Sequence, residues 1–458
     1  MKKLVCYIFL ISTILTAQQT NTISGEVRDF ENGEPLIGAN ITIYKNTNNN
    51  LEIIDGTSAN KYGWFSITVS DAINKYQVEV SYIGYLTETL SLENLNSFDN
   101  IIVKLKNNSN TLDVIQLSEK KEDINIQSAD LGKITLNMNQ INKLPVLAGE
   151  KDVLKSIQLL PGVQSGGEGT AGFFVRGGTP DQNLILLDEA VVYNASHLFG
   201  FFSVFNTDAI SNNPILLKGS MPANYGGRLS SVLDIHMKEG NNKQFSAKGG
   251  LGLIASRITF EGPIIKEKGS FLISARRTYI DILTKPFIDT TSFAGSSYYF
   301  YDLTAKANYR ISQKDKLYLS GYFGRDVFQF NSSDWGFGIN IPWGNATASL
   351  RWNHFFSNKL FMNTSLIFTD YKFELEGRQE LENLPDAQNT LFSGIRDWNL
   401  KNDFEYHIQN HNIKFGSNYV FHKFNPTSFS GSYDDLIFEE IIYHYAHEYA
   451  AYINDEYD

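Results

Sequence analysis

The sequence predicts a mainly β chain in three parts: an N-terminal β-sandwich, a glycine-rich α+β domain, and about ten strands of a transmembrane antiparallel β-barrel. Three observations predict it. From about residue 243 onward, apolar and polar residues alternate with period two. The connections between these runs alternate short and long, as the turns and loops at the two ends of a membrane barrel do. Ahead of them, residues 22–106 hold β-rich runs separated by turn dipeptides.

Residues 1–17 read as a signal peptide. Lys2 and Lys3 form a positive start, Leu4 to Thr16 an apolar stretch too short to span a bilayer, and Ala17 a small residue at the cleavage point. Export follows through a cleaved signal, and the barrel pattern below makes the outer membrane of a Gram-negative bacterium the expected destination. The only cysteine, Cys6, lies inside this segment, so disulfides and thiolate chemistry are excluded from the mature chain. Charged residues are 19% of the chain and the net charge is −11, which argues against a nucleic-acid partner.

In the sandwich, strands are expected at Ile23–Val27, Asn40–Tyr44, Trp64–Val69 and Tyr76–Tyr82. Asn32-Gly33, Asp55-Gly56 and Tyr62-Gly63 supply the turns between them. Residues 107–140 read as a polar linker around one apolar hexapeptide, Leu112 to Leu117. Such a segment suits strand addition to another protein's sheet edge; the plain alternative is a last strand of the sandwich.

Residues 141–240 form the glycine-rich domain. Apolar residues at 153, 154, 157 and 160 predict a helix over Asp152 to Leu160, stopped by Pro161-Gly162. Leu184 to Leu187 predicts a buried strand. Leu229 to Met237 predicts another, with Leu229, Leu233 and Ile235 on one face.

Residues 241–458 carry the barrel pattern. Phe245, Ala247, Gly249, Leu251 and Leu253 share a face, and a parity flip near Gly252 to Ala255 implies a tight turn. Leu303, Ala305, Ala307, Tyr309 and Ile311 alternate with Asp302, Thr304, Lys306, Asn308 and Arg310. Ala346, Ala348, Leu350 and Trp352 alternate with Asn345, Thr347, Ser349, Arg351 and Asn353. Trp398, Leu400, Phe404 and Tyr406 alternate with Asp397, Asn399, Lys401, Asp403 and Glu405. Tight turns are expected near 264–269, 312–316, 357–359 and 407–411, and long external loops near 280–301, 326–344, 372–394 and 423–445.

Two resemblances fit this order. Ser24-Gly25-Glu26-Val27, Gly33 to Asn40, Tyr62-Gly63-Trp64-Phe65 and Ser81 to Tyr85 resemble the carboxypeptidase-regulatory-like domain, a transthyretin-like sandwich. The glycine-rich domain resembles the plug of TonB-dependent outer-membrane receptors. The matching motifs are Leu144-Pro145, Asp152-Val153-Leu154, Leu159 to Val163, Phe174-Val175-Arg176-Gly177-Gly178, Leu186-Leu187-Asp188, Val191 to Asn194, Leu217-Lys218-Gly219, Pro222-Ala223-Asn224-Tyr225-Gly226-Gly227-Arg228 and Ser231 to Ile235.

The resemblance implies a plug closing a barrel, an unknown extracellular ligand bound from outside, and a TonB box at Asp113, Val114, Ile115, Gln116 and Leu117. It implies the TonB energy-transducing complex, outer-membrane lipid and a surface lipoprotein as partners. It implies no cofactor and no catalytic residue, and no catalytic motif is found. Arg176 is expected to meet barrel carboxylates beside turns at Gly177 and Gly178, while Arg176, Asp188 and Arg228 serve structural ion pairing within the plug. Plugged barrels have about 22 strands, so the chain is expected to be the N-terminal part of a longer receptor. His407 with His411, and His444 with His447, are expected to be turn and girdle residues, with no metal. The aromatic run Tyr298 to Tyr301, with Trp335 and Trp343, is expected in the interfacial girdle, with ligand contact as the alternative. The function expected is energised nutrient uptake; the alternative is a surface receptor or adhesion protein that binds or signals without import.

Overall fold

The structure is a computed structural model, and it describes residues 21–47, 50–69, 76–92, 97–108, 132–136, 150–167, 172–211, 213–379, 387–433 and 436–457. The signal segment and Asp113 to Leu117 lie outside the described residues. No helix among the described residues is long and apolar enough to cross a membrane, which says nothing of a β-barrel.

The sandwich is built from β1 (Asn21–Asp29), β2 (Asn40–Thr47), β3 (Asn50–Ser58), β4 (Trp64–Val69), β5 (Tyr76–Ser81), β6 (Glu88–Ser91) and β7 (Ile101–Leu105). They form one sheet of order β4-β1-β7 and another of order β3-β2-β5-β6. Ile23 and Val27 meet Ile41, Ile43, Phe65, Ile67, Val78 and Val80 in a shared core. Each such side chain contributes about 1.5–3 kcal/mol by leaving water. The turn expected at Asp55-Gly56 is absent: both residues pair within β3, opposite Ile43 and Thr42. A bulge beside Ile43 absorbs one residue there, so a dipeptide of turn character stays in an edge strand. β1 is buried on both faces. Thr22, Ser24, Glu26 and Arg28 are as enclosed as Ile23 and Val27.

The plug domain holds one short helix, α1 (Val153–Ile157). Asp152 caps it, accepting from the Lys155 backbone at 3.0 Å. It is shorter than expected: Leu159 is exposed, and the chain turns at Gly162 with φ +77°. The strands are β8 (Lys133–Thr135), β9 (Val163–Ser165), β10 (Phe173–Val175), β11 (Asn183–Leu187), β12 (Ala190–Val191), β13 (Ser196–His197), β14 (Phe202–Ser203), β15 (Ile215–Leu217) and β16 (Ser231–Ile235). Their main sheet has the order β12-β11-β16-β15-β8, with β11 and β16 parallel. β8 falls in the stretch read as linker and adds itself to this sheet. Leu233 and Ile235 are fully buried, whereas Leu229 precedes β16 and is 85% exposed, so it does not share their face.

The plug leads into the wall through Gly240, whose φ is +85°. A Cβ there would meet the Phe271 carbonyl oxygen at 2.3 Å, so only glycine fits. The wall is an 11-stranded antiparallel sheet. Its members are β17 (Ser246–Leu251), β18 (Ala255–Ile265), β19 (Gly269–Thr278), β20 (Ser297–Arg310), β21 (Asp315–Ser332), β22 (Phe337–Phe355), β23 (Leu360–Gln379), β24 (Ala387–Ile408), β25 (His411–Tyr433), β26 (Leu436–Glu440) and β27 (His444–Tyr457). β26 and β27 both pair with β25. The parity flip is a turn closed by Gly252 N donating to Ala255 O at 2.8 Å.

Burial on this sheet is inverted relative to a water-soluble one. Thr304, Lys306, Asn308, Ser320, Asn345, Thr347, Ser349, Arg351 and Asn363 are buried, while Leu303, Leu319, Phe323, Leu350, Leu366, Trp398 and Leu400 are exposed. Polar residues inside and apolar residues outside are what lipid demands of a barrel wall.

Three of the four long loops are different from the expectation. β21 and β22 stay paired to Ser332 and Phe337, β23 and β24 to Gln379 and Ala387, and β25 and β26 to Tyr433 and Leu436. Hydrophobic alternation stops where lipid stops, but a hairpin in water still satisfies its backbone by pairing. Among the described residues, the β19–β20 connection is a true loop, and it carries α2 (Ile280–Ile288).

Candidate functional site: the contact between plug and wall

The plug meets the wall at two levels. The lower level starts from the hairpin joining β11 to β12, whose central residues are Asp188 and Glu189, with φ of +48° and +73°. A two-residue hairpin with both φ positive normally takes Asn-Gly. Left-handed conformations cost non-glycine residues about 1–2 kcal/mol each. That strain turns two adjacent carboxylates toward the wall.

Asp188 is fully buried and lies 2.9 Å from Lys306 of β20 and 3.6 Å from Arg351 of β22. It also accepts from the Met237 backbone at 3.0 Å. Burial alone would raise its pKa, but Lys306, the neighbouring His236 and Arg351 hold the carboxyl well below the usual range. Glu189 accepts from Ser365 of β23 at 2.5 Å and from Tyr62 of the sandwich at 2.7 Å, and pairs with Lys61. Glu239 pairs with Lys316 of β21 at 2.7 Å and with Arg28 of the sandwich at 3.6 Å.

The upper level is built on His197 at the end of β13. Its Nε2 lies 2.8 Å from Asp302 of β20 and its Nδ1 2.5 Å from Asp326 of β21. The ring stacks on Phe300 at 4.0 Å. Asp302 also receives Arg276 and Tyr322. Burial would lower the His197 pKa, but the two aspartates outweigh it and push the imidazole up to about 9, so the clamp is charged at neutral pH. Just beyond it Leu198 and Phe199 take φ of +47° and +52°, and Phe199 packs beside Trp343 at 5.0 Å.

The sequence-selected residues separate here. Asp188 is brought to the lower contact, and its partners are in the wall as well as within the plug. Arg176 is exposed, with φ +49°, and forms no ion pair among the described residues; the expected meeting with barrel carboxylates is not seen. Its turn lays the guanidinium beside Gly219 and Lys218 of the plug. Gly177 has φ +83° and Gly178 bridges back to Val175, as a tight turn requires. A Cβ on Gly178 would meet Ser230 Oγ at 2.4 Å. Tyr225 donates to Asp234 at 2.8 Å; Gly226 and Gly227 follow, and Arg228 donates to the Gly227 carbonyl at 2.8 Å. Glu189, Glu239 and His197 escaped sequence selection. Their signal is faint: an acid just after the buried run Leu184 to Leu187, another just after the strand ending at Ile235, and a lone histidine in a glycine-rich stretch.

The aromatic run divides by parity. Tyr298 and Phe300 point inward with Trp343 and Phe202, while Tyr299 and Tyr301 stack together at 6.4 Å. Trp335 sits exposed in the β21–β22 turn. His407 packs against Trp64, and His411 meets Asp455 at 2.7 Å. Among the described residues no group of three metal-ligating side chains is gathered.

Family comparison agrees with this geometry. Residues 23–117 match the CarboxypepD_reg-like domain, and residues 135–231 match the TonB-dependent Receptor Plug Domain. No curated protein matches the chain. Among solved structures, the fold is similar to the outer membrane transporter YddB from Escherichia coli, at 12% identity and TM-score 0.52, covering 71% of this chain and 54% of that one. It is similar to the copper transporter OprC, at 12% identity and TM-score 0.51, covering 72% and 52%. The RagAB peptide importer matches at 10% identity and TM-score 0.50, covering 72% and 54%. This chain thus spans about half the length of these structures. The plug stretch thus matches the TonB-dependent receptor plug model behind a CarboxypepD_reg-like match, and the plug seated on the polar face of an antiparallel wall has the fold of the outer-membrane transporters it is similar to.

Proposed function

We propose that the chain provides the sandwich, the plug and part of the wall of an outer-membrane transporter that takes up a nutrient ligand with energy delivered through TonB. The observation that supports it best is the seat of the plug: charged side chains of plug and wall pair on the buried surface of a sheet whose other surface is apolar. A hydrogen-bonded wall cannot part in lipid without exposing its backbone. A passage through it therefore opens only by moving the plug, and moving a plug held by ion pairs needs work.

The segment Asp113 to Leu117 is the proposed handle for that work, pulled as a strand added to its partner. The ligand enters from the side of His197 and Phe199. Lipid surrounds the wall, and a surface lipoprotein above it belongs to the same reading. Deleting residues 112–117 in the full-length protein tests it. Uptake should be lost while ligand binding at the cell surface is kept. Uptake that survives the deletion would refute energised import through this segment and leave a receptor that binds without importing.

A further inference from the structure

The sandwich is joined to the rest of the molecule by more than the chain between them. Its β4-β1 sheet turns one face to its own core and the other to the lower rim of the wall. Glu26 meets Arg310 at 2.7 Å. Ser66 Oγ donates to the Asn358 carbonyl at 2.7 Å, and Asn358 returns a bond to Thr22 at 3.0 Å. Trp64 is buried, but not among its own sandwich residues: it stacks on Phe361 at 5.3 Å, beside Phe355 and His407. The same sheet and its loops also hold the plug. Lys61 and Tyr62 bind Glu189, Arg28 faces Glu239, and Glu34 accepts from the Gly240 backbone at 2.7 Å.

We infer that the sandwich is a latch on the plug, which cannot leave its seat until the sandwich has come away from the wall. Glu189 is the pivot. One carboxylate holds Lys61 and Tyr62 of the sandwich together with Ser365 of the wall. Moving the plug while the sandwich stays docked would strand Lys61 without Glu189 and leave Arg28 with Glu26 alone, a cost of the kind that buried charges impose. Undocking the sandwich first gives up the Trp64 contact and the Glu26–Arg310 pair but carries Lys61 and Arg28 out to water and leaves the sandwich folded. Its core contains only its own residues, and the face of Thr22, Ser24, Glu26 and Arg28 is one that water can solvate. The three parts meet around a cavity of about 20 Å³ lined by Glu34, Lys61, Tyr62, His236, Lys306 and Arg351. That is room for about one water, and it is the place where solvent enters when the sandwich lifts.

Hydrogen exchange in the full-length protein tests the latch without any ligand, so its outcome is separate from that of the uptake test. Trp64→Ala with Lys61→Ala loosens the seat and leaves the sandwich core untouched. Plug amides in 183–192 and 231–241 should then exchange about tenfold faster, while β2 and β5 keep their protection. Cys6 is the only cysteine in these 458 residues, so with any cysteine elsewhere in the full-length protein replaced by serine a Ser66→Cys/Asn358→Cys pair can be oxidised cleanly. The disulfide should restore plug protection in the loosened variant, and reduction should abolish it. Plug exchange within about twofold of the parent in the loosened variant, or a disulfide that fails to restore protection, overturns the latch.

Discussion

The lower and upper contacts of the plug are centred on opposite charges. Below, the plug offers acids, Asp188, Glu189 and Glu239, and the wall answers with Lys306, Lys316 and Arg351. Above, the plug centres on a cation, His197, and the wall answers with Asp302 and Asp326, while beside it the plug's Glu150 faces Arg276 of the wall at 3.6 Å. Lys306 and Asp302 lie on the same strand, about 13 Å apart along it. A plug displaced by that distance would set like charges against each other in a buried site. Polarity that reverses with height therefore fixes the plug's position as well as its affinity, because the wrong register is repelled. The lower level is also shared with the sandwich, whereas the described contacts of His197 are with the plug and the wall alone.

The largest effect is expected where the lower polarity is cancelled. Asp188→Asn keeps a residue tolerant of positive φ but removes the charge that faces Lys306 and Arg351. Leaving those cations buried and uncompensated should cost about 3–5 kcal/mol. Denaturant titration of the full-length protein, followed by hydrogen exchange in the plug, would record it. A loss below about 1 kcal/mol would mean that the lower level does not anchor the plug.

The upper clamp should show a different pH dependence. His197 has its folded pKa raised from 6.5 to about 9, so its contribution is fully present below pH 6.5 and is lost as pH rises through 9. The shift corresponds to something on the order of 3 kcal/mol for a side chain so fully buried. His197→Gln should remove most of that slope between pH 6.5 and 9, leaving only the smaller Glu34 contribution near its lower end. A slope that persists at full size in the variant would assign the titration to another group.

These contacts also mark how far the sequence could be read. The wall was legible because lipid imposes period two, so Leu303 to Ile311 announced their outward face and Asp302 to Arg310 their inward one. The sandwich core was legible for the same reason on a smaller scale. Partners were not: Asp188 and Lys306 are far apart in sequence, and no local pattern joins them. The Asp188-Glu189 hairpin was hidden because it lacks the Asn-Gly that its backbone would favour. β1 was hidden in another way. Its alternating Thr22, Ser24, Glu26 and Arg28 carry no mark in the sequence of the wall that covers them. Hairpins beyond the bilayer read as loops because hydropathy reports lipid and not hydrogen bonding.

The smallest effect is expected at Glu34, where the sandwich meets the plug. Burial, then the charge of Glu239, raises its pKa from 4.5 to about 7. A carboxyl raised in this way favours the docked state below pH 4.5, and that advantage is lost as pH rises through 7. The lower seat should therefore loosen across a range in which His197 stays largely charged. Glu34→Gln mimics the protonated form, so it should change nothing below pH 4.5 and tighten docking above pH 7 by about 1 kcal/mol, since Lys306 already offsets part of the repulsion. Yield of the Ser66→Cys/Asn358→Cys disulfide in a fixed redox buffer, compared with and without Glu34→Gln at each pH, measures this. Equal yields with and without the substitution above pH 7 would show that the seat tolerates the Glu34 charge, and would place the pH sensitivity of the plug at the upper level alone.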